Sequence, residues 1–594
     1  MASLESVISE EMLAGQGLSG IYILRAKPAI DSRWTVCYGE LQLDGKPPGQ
    51  DRGASCRRRR ILCLLAVLCG CLDYWRGSQL DHARYCEIET QASSAPLLKR
   101  LFLCGLVDMV KTQLCATVTG KSMRELRSAR DAQIGADLVE LRLDSVRGVD
   151  VKGALADRRQ PTIVTCRPKW EGGAFDGSEE ERRELLLQAC AYGAEFVDIE
   201  HRASFARELL DRRAGRGVIL SFHTFDGVPR DLDDRYRAMR ATGAEVVKIA
   251  ATVKNLQEGL RVMSVGKIDE PRVLIGMGAS GVVTRVLASR FGTCWSYAGS
   301  GVAPGQIDLQ RMQQQFAFHD ITERTAVYGV LGSPVSHSVS PAMHNAGFRA
   351  TGIDAVYVPF ETCDLDDFSG FAQAIGVRGV SVTAPFKETV AKRVVETDAT
   401  SRAVGAVNTI RVGTAGWFGC NTDVAGFLAP LTNRIRLPGT RATVLGAGGA
   451  ARSAAWGLVR EGAAVTVCAR RQEKASDVAR VVGATAADMP PERGSWDLLV
   501  NTTPVGTFPN LDDSPLPNGP FDGGLVYDLV YNPSTTRLMR DAVQGGCDTI
   551  GGLEMLVDQA LRQFEWWTGQ TAPESLFFEA AKAELERQMD ALTA

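Results

Sequence analysis

The stretch AEVVKIAATV, residues 244–253, sets Lys248 among Val246, Val247, Ile249 and Ala250. It reads as a short buried strand with a cation at its centre. Burying an unpaired charge is expensive, and a lysine in apolar surroundings tends to give up its proton. On these ten residues alone two readings compete. A structural lysine would run its stem along the apolar surface to water, or pair with a carboxylate. A functional one would be a nucleophile.

Runs of the same kind recur from Gln113 onward: QLCATVT (113–119), DLVELRL (137–143), TIVTCR (162–167), EFVDIE (195–200), VILSFH (218–223), EVVKIA (245–250), RVLIGM (272–277) and CWSYAG (294–299). Each is short, apolar and mostly β-branched, as buried strands are. Amphipathic stretches such as SEEERRELLLQACAYG (178–193) and DLDDRYRAMRATG (231–243) separate most of them. Strand–helix units in this number predict an α/β fold of the (β/α)8 TIM-barrel type over residues 111–310. Chemistry in such a barrel gathers at the C-terminal ends of the strands.

Polar residues collect at those ends: Glu140 and Arg142 on the second strand, and Arg167, with Glu171 just beyond, on the third. His223 follows on the fifth, Lys248 on the sixth, Arg285 after the seventh and Gln306 after the eighth. Each has a plain alternative. Glu140 and Arg142 share a face and could pair inside the barrel, His223 could be a satisfied core histidine, and Arg285 a surface cation. Their meeting on one rim points instead to chemistry. A lysine in a low-dielectric pocket near Arg142 and Arg285 has its pKa lowered and attacks ketones. A histidine on the next strand shuttles a proton, and arginines clamp a carboxylate. Schiff-base formation, proton abstraction and loss of a β-hydroxyl amount to dehydration of a hydroxy-keto acid.

Residues 113–310 resemble the type I 3-dehydroquinate dehydratases through ELRLD, T-x-R-x-x-x-EGG, SFH, VKIA, G-x-x-x-R and APGQ. The resemblance implies that Lys248 forms the Schiff base, that His223 is the general acid and base, and that Glu171 orients it. Glu140, Arg142, Arg167, Arg285 and Gln306 would bind substrate. Where the family usually has serine just before APGQ, this chain has Val302, with Ser300 nearby as a substitute hydroxyl.

A polar linker, residues 308–325, precedes a second unit. AVYGVLGSPVSHSVSPAMHN predicts a strand, a small-residue loop and a helix capped by Ser340, with Pro341 in its first turn. Ser338 and Ser340 beside a helix N-terminus suit a carboxylate, although simple capping would explain them too. GVSVTAPFKE (379–388) offers Thr383 and Lys387, GAVNTI (405–410) Asn408, and GCNTDVAGF (419–427) Asp423. RATVLGAGGAARSAAWGLVREGAAVTVCARR (441–471) reads as strand, glycine loop, helix and strand, the Rossmann arrangement. An NAD enzyme usually ends the second strand with a carboxylate. Here that point reads Ala469, Arg470, Arg471, with Lys474 close by, and suits a 2′-phosphate, so NADP(H) is expected. LLVNTTPVG (498–506) and GLVYDLVYNP (524–533) predict two more strands, and 551–569 a helix with Gln559 and Gln563 on one face.

Residues 326–590 resemble the shikimate dehydrogenases through SHSxSP, VTxPFK, GAVNT, NTDxxGF, GAGGA, NTTPVG and GLxMLVxQA. The resemblance makes Lys387 and Asp423 the catalytic pair. Substrate contacts would come from Ser338, Ser340, Thr383, Asn408, Asp423, Tyr531, Gln559 and Gln563. Gly446, Ala447, Gly448, Gly449, Ala450, Arg470, Arg471 and Lys474 would take NADP. The family more often has Asn-Arg-Thr in place of Ala-Arg-Arg at 469–471. Ser338 and Thr383 favour shikimate over quinate. The expected layout is a substrate-binding domain at 326–430 with 553–590, and a Rossmann domain at 437–552. Together the halves resemble the fused dehydratase–dehydrogenases of plants, which convert 3-dehydroquinate to 3-dehydroshikimate and then to shikimate. The competing readings are a quinate dehydrogenase fused to a vestigial barrel, and a barrel kept as a scaffold.

Composition agrees with a multidomain globular chain. Its 594 residues exceed one core, and the 45% apolar and 23% charged fractions are ordinary. A net charge of −3 speaks against a nucleic-acid partner across the whole chain. Small-molecule substrates are the expected partners, with no metal. Fifteen cysteines without C-x-x-C pairs among those beyond the first 110 residues suggest a reducing, cytosol-like compartment. A plastid would need a transit peptide, and Glu5, Glu10 and Glu11 are unlike one. Residues 1–110 look different from the rest. RRRR (57–60) precedes ILCLLAVLCGCL (61–72), too short a run for a comfortable membrane span, so the segment reads as an atypical extension and no membrane association is expected.

Overall fold

A computed structural model describes residues 111–299 and 304–593. The extension at 1–110, Ser300 and Val302 lie outside the described residues. All eight expected barrel strands form: β1 (Gln113–Val118), β2 (Leu138–Arg142), β3 (Thr162–Thr165), β4 (Phe196–Glu200), β5 (Val218–Thr224), β6 (Val246–Thr252), β7 (Arg272–Met277) and β8 (Trp295–Ala298). They pair in parallel in chain order, and β8 returns to pair with β1. At the β7–β8 seam the Cys294 N–H donates to the Arg272 carbonyl at 2.9 Å, so the barrel is nearly closed. Leu138, Ile163, Ile219 and Val246, near the strands' beginnings, pack into an apolar plug. The period-2 alternation of a strand then carries Lys248 and His223 inward above that plug.

Two further sheets follow. The first holds β9 (Ala326–Gly332), β10 (Ala355–Glu361), β11 (Val377–Val382), β12 (Glu396–Thr397), β13 (Thr409–Gly413) and β14 (Gly416–Cys420), in the order β10-β9-β11-β13-β14-β12. The second is wholly parallel, in the order β17-β16-β15-β18-β19-β20, from β15 (Arg441–Leu445), β16 (Ala464–Cys468), β17 (Thr485–Ala487), β18 (Leu498–Asn501), β19 (Leu525–Asp528) and β20 (Asp548–Gly551). The helix Gly552–Thr568 then returns to the first sheet, burying Leu553, Val557 and Phe564 with Val330 and Val339.

The stretch expected to be a polar linker is instead packed. Met312, Phe316, Phe318 and Ile321 are buried in one apolar cluster with Leu256 and Val286 of the barrel and Phe368 and Phe371 of the next unit. Their apolar spacing is masked in the sequence by the glutamines between them. The same junction has a polar clasp. Asp367 accepts hydrogen bonds from the backbone N–H of Leu256 (3.0 Å) and of Gln257 (2.8 Å), at the start of the barrel helix Leu256–Met263. Four N–H groups at a helix start lack partners within the helix, and here a carboxylate from the neighbouring unit satisfies two of them.

Two candidate active sites

Lys248 lies opposite Ser221 in the β5–β6 ladder, with His223 two residues farther along the same face. Its Nζ is 2.9 Å from Asp198 Oδ2, 3.4 Å from Glu140 Oε1 and 4.3 Å from the centre of the Tyr297 ring. This corrects the expected surroundings: the nearest charges to the lysine are two carboxylates, not Arg142 and Arg285. The charges continue outward in alternation. Asp198 Oδ1 accepts from Ser221 Oγ (2.6 Å) and Arg167 Nη2 (2.7 Å). Arg167 Nη1 donates to Glu200 (2.7 Å), and Glu200 in turn meets Arg182. Burial opposes ionisation of Asp198, yet Arg167 and Lys248, then His223 and Ser221, hold its carboxyl well below the usual range. A buried charge chain of this kind is tolerable because every member has an opposite neighbour.

Glu171, in the short turn Lys169–Glu171 after β3, is buried. Its Oε1 accepts from the His223 backbone N–H (2.9 Å) and lies 3.1 Å from His223 Nδ1. Burial pushes Glu171 up to about 7 against the pull of Arg167. Burial and the cations Arg167 and Lys248 pull His223 well below its ordinary value, so at neutral pH its imidazole is uncharged and able to accept a proton. Arg142 pairs with Asp144 through two hydrogen bonds (2.7 and 2.8 Å), not with Glu140 as the sequence allowed. Arg285 is buried, donates to the Pro304 carbonyl (3.2 Å) and has no ion pair among the described residues. Burial alone lowers it to about 10. Gln306 Nε2 lies 3.5 Å from Thr117 Oγ1. All eight barrel residues singled out in the sequence line one cavity of about 120 Å³.

The second site sits where the two later sheets meet. Lys387 opens the short helix Lys387–Ala391 after β11, and its Nζ donates to Asp423 Oδ2 at 2.6 Å. Asp423 begins the helix Asp423–Leu428 and is buried. Asn408 Nδ2 holds Asp423 Oδ1 at 2.7 Å and reaches Thr422 (2.9 Å) and Gln559 (3.4 Å). Gln563 Nε2 donates to the Asn408 carbonyl (3.3 Å), so both glutamines do share one face, turned to Asn408. Ser340 is not the expected cap: Val339 holds that position, Ser340 is the first helical residue, and the Ser338 hydroxyl accepts the Ser340 N–H at 3.2 Å. Thr383 packs on Gly332 at the start of the same serine loop, leaving too little room for a side chain at 332. Tyr531 packs against the apolar cluster that holds Val335, Val339 and Leu553.

After β15 the chain turns through Gly446, whose φ of +120° favours glycine and where a Cβ would lie 2.3 Å from Thr502 Oγ1. With Ala447 it leads to Gly448, the cap of the helix Gly449–Arg460, and a Cβ at Gly448 would face open space. A Cβ at Gly449 would lie 3.3 Å from Lys387 Cδ, so the glycine loop abuts the lysine of the pair. Ala450 follows in the helix, and Arg470, Arg471 and Lys474 are exposed just past β16. An open helix N-terminus flanked by cations suits a dinucleotide with an added phosphate.

Family models match at residues 114–323 (type I 3-dehydroquinase), 330–410 (shikimate dehydrogenase substrate binding domain) and 552–582 (shikimate 5′-dehydrogenase C-terminal domain). The chloroplastic bifunctional 3-dehydroquinate dehydratase/shikimate dehydrogenase of Arabidopsis thaliana is 34% identical over 516 residues, covering 80% of this chain and 85% of that protein. The chain belongs to this bifunctional dehydratase–dehydrogenase family. The shikimate dehydrogenase (NADP(+)) of Methanothermobacter thermautotrophicus is 39% identical over 281 residues, 45% of this chain and 99% of the relative. A crystal structure of Thermus thermophilus shikimate 5-dehydrogenase with NADP(H) and shikimate is 36% identical, covering 44% of this chain and 99% of that one, with a TM-score of 0.40.

In the dehydratase half, the sequence reading passed over Asp198, the closest polar contact of Lys248, and Glu200 behind it. The signal was present in EFVDIE: two carboxylates on one face of an otherwise buried strand need cations. In the dehydrogenase half it passed over Thr422, which shares Asn408 with Asp423.

Proposed function

We propose that the chain dehydrates 3-dehydroquinate to 3-dehydroshikimate in the barrel and reduces that product to shikimate with NADPH at the second site. The observation that carries the first step is one buried amine, Lys248, beside His223 in a cavity whose rim holds Arg285 without a carboxylate partner among the described residues. Lys248 Nζ attacks the ketone carbon, and the two protons its ammonium gives up leave with the ketone oxygen as water when the iminium forms. His223 takes the α-proton, and the electron pair is held as an enamine. The β-hydroxyl then departs as water with the proton His223 returns, and hydrolysis frees the product. Glu171, by holding Nδ1, leaves Nε2 for that proton. Arg285 clamps the substrate carboxylate, with Arg142, Glu140 and Gln306 taking hydroxyls. Arg167, its terminal nitrogens engaged, supports Asp198.

At the second site bound NADPH supplies the hydride. Lys387 donates to the ketone oxygen as charge develops there, and Asp423, held by Asn408, keeps the ammonium aimed. Ser338, Ser340, Thr383, Tyr531, Gln559 and Gln563 hold the substrate. Gly446 to Ala450 cradle the pyrophosphate, while Arg470, Arg471 and Lys474 hold the 2′-phosphate. The domain limits given above belong to this reading, as does a reducing compartment, supported by the unpaired state of the eight described cysteines. Among the described residues no helix is long and apolar enough to cross a membrane. The test is borohydride reduction with dehydroquinate present. A covalent adduct on Lys248 is expected, and its absence would refute the Schiff-base step. Faster turnover of quinate than of shikimate with NADP would refute the second.

A further inference from the structure

The PAMHN stretch (341–345) has no part in the chemistry above, yet His344 and Asn345 are wholly or nearly buried. Both act on one residue. Asn345 clasps the backbone of Tyr357, accepting its N–H (2.8 Å) and donating to its carbonyl (2.9 Å). The His344 ring stacks on the Tyr357 ring, with centres 4.4 Å apart and planes 15° off parallel. So held, the Tyr357 hydroxyl donates to Ser381 Oγ at 2.6 Å, and Ser381 Oγ donates to Gln563 Oε1 at 2.6 Å. A hydroxyl has one proton, so accepting from Tyr357 turns the serine's own proton onto the glutamine. The amide oxygen of Gln563 is thereby occupied, and its nitrogen is left to face Asn408.

We infer that Tyr357 and Ser381 are positioning residues for the reduction, fixing the Gln563 amide so that it meets substrate as a hydrogen-bond donor. The inference rests on the reading that Gln563 touches substrate. One N–H goes to the Asn408 carbonyl, and the same amide lies within side-chain hydrogen-bond reach of the buried His344 ring. On this inference it is the nitrogen side of the amide that turns toward a substrate hydroxyl. Without the serine proton the amide could turn over and present its oxygen. Burial holds the Tyr357 hydroxyl above its ordinary range, so it remains a donor at any working pH.

The experiment measures shikimate oxidation by full-length Ser381→Ala, Ser381→Thr, Tyr357→Phe, Gln563→Ala and the Ser381→Ala/Gln563→Ala pair, with dehydration by the same samples as the check on folding. Losing one oriented hydrogen bond should raise the KM for shikimate by about five- to tenfold in Ser381→Ala, and by about threefold in Tyr357→Phe. The KM for NADP and kcat should hold, and Ser381→Thr, which keeps the hydroxyl, should restore the shikimate KM. The pair should be no worse than Gln563→Ala alone, because both changes disable one contact. An unchanged shikimate KM in both Ser381→Ala and Tyr357→Phe, while Gln563→Ala raises it, overturns the inference and leaves Gln563 a ligand. An unchanged KM in Gln563→Ala overturns the role of Gln563 itself. Equal losses in kcat and both KM values would mean that the hydroxyls serve packing, which also overturns it.

Discussion

On the proposed roles, the two sites use the same pair, a lysine beside an aspartate, in opposite ways. Lys248 is buried and touches two carboxylates, one of which belongs to a chain of alternating charges running outward to Arg182. Lys387 is partly open, has one carboxylate, and rests against the glycine loop of a neighbouring sheet. A nucleophile must lose its proton within reach of an acceptor and be shielded from water while it forms a bond. A proton donor needs only to be aimed and to recover its proton from solvent. The residue types are shared; enclosure and the number of partners separate the chemistries.

The comparison breaks most sharply with Lys248→Ala. Dehydration should fall by roughly 10⁴-fold or more, since the covalent route is lost, while reduction of added dehydroshikimate is unchanged; separate assays on one preparation decide it. The mirror change, Lys387→Ala, should lower reduction by about 10²- to 10⁴-fold, the span of a lost general acid, with dehydration intact. Replacing both Arg470 and Arg471 by alanine should raise the KM for NADP by about tenfold or more, one charge-assisted contact being worth at least that. An unchanged ratio of NADP to NAD use would refute the 2′-phosphate assignment.

The subtlest difference is in pH. Burial raises Glu171 from 4.5 to about 7, so the fold prefers it protonated. The stability it contributes is complete below about 4.5 and is lost as pH rises through about 7. Ionised, it can hold both the His223 backbone N–H and Nδ1–H, so dehydration should increase through about pH 7. Glu171→Gln should remove that inflection from the dehydration profile and leave the pH profile of reduction untouched. An inflection retained in the variant would assign it to another group.

Much of this was legible. Strand positions followed from short apolar runs, and the eight rim residues of the barrel followed from polar positions at their ends. What escaped was partnership across strands. Asp198 and Glu200 lie on a strand between those that carry Arg167 and Lys248, and no local spacing reveals that they touch. Ser340 fitted a cap by residue type, but the loop delivers Val339 to that position and lets Ser338 serve the exposed N–H instead. The linker failed for the opposite reason: polar and charged residues dominate its composition, while four buried apolar side chains determine its place.

The Asp367 carboxylate bears on how the polypeptide can be divided. Capping groups are worth about 1 kcal/mol each, and this one is lent by the dehydrogenase to the helix that follows the strand carrying Lys248. A barrel expressed alone would keep its Asn255 cap on Glu258 but leave the Leu256 and Gln257 amides and an apolar flank uncovered. A gene split at residues 308–325 should therefore lower the stability of the barrel half, by about 1 kcal/mol for the lost cap and further for the apolar flank it uncovers.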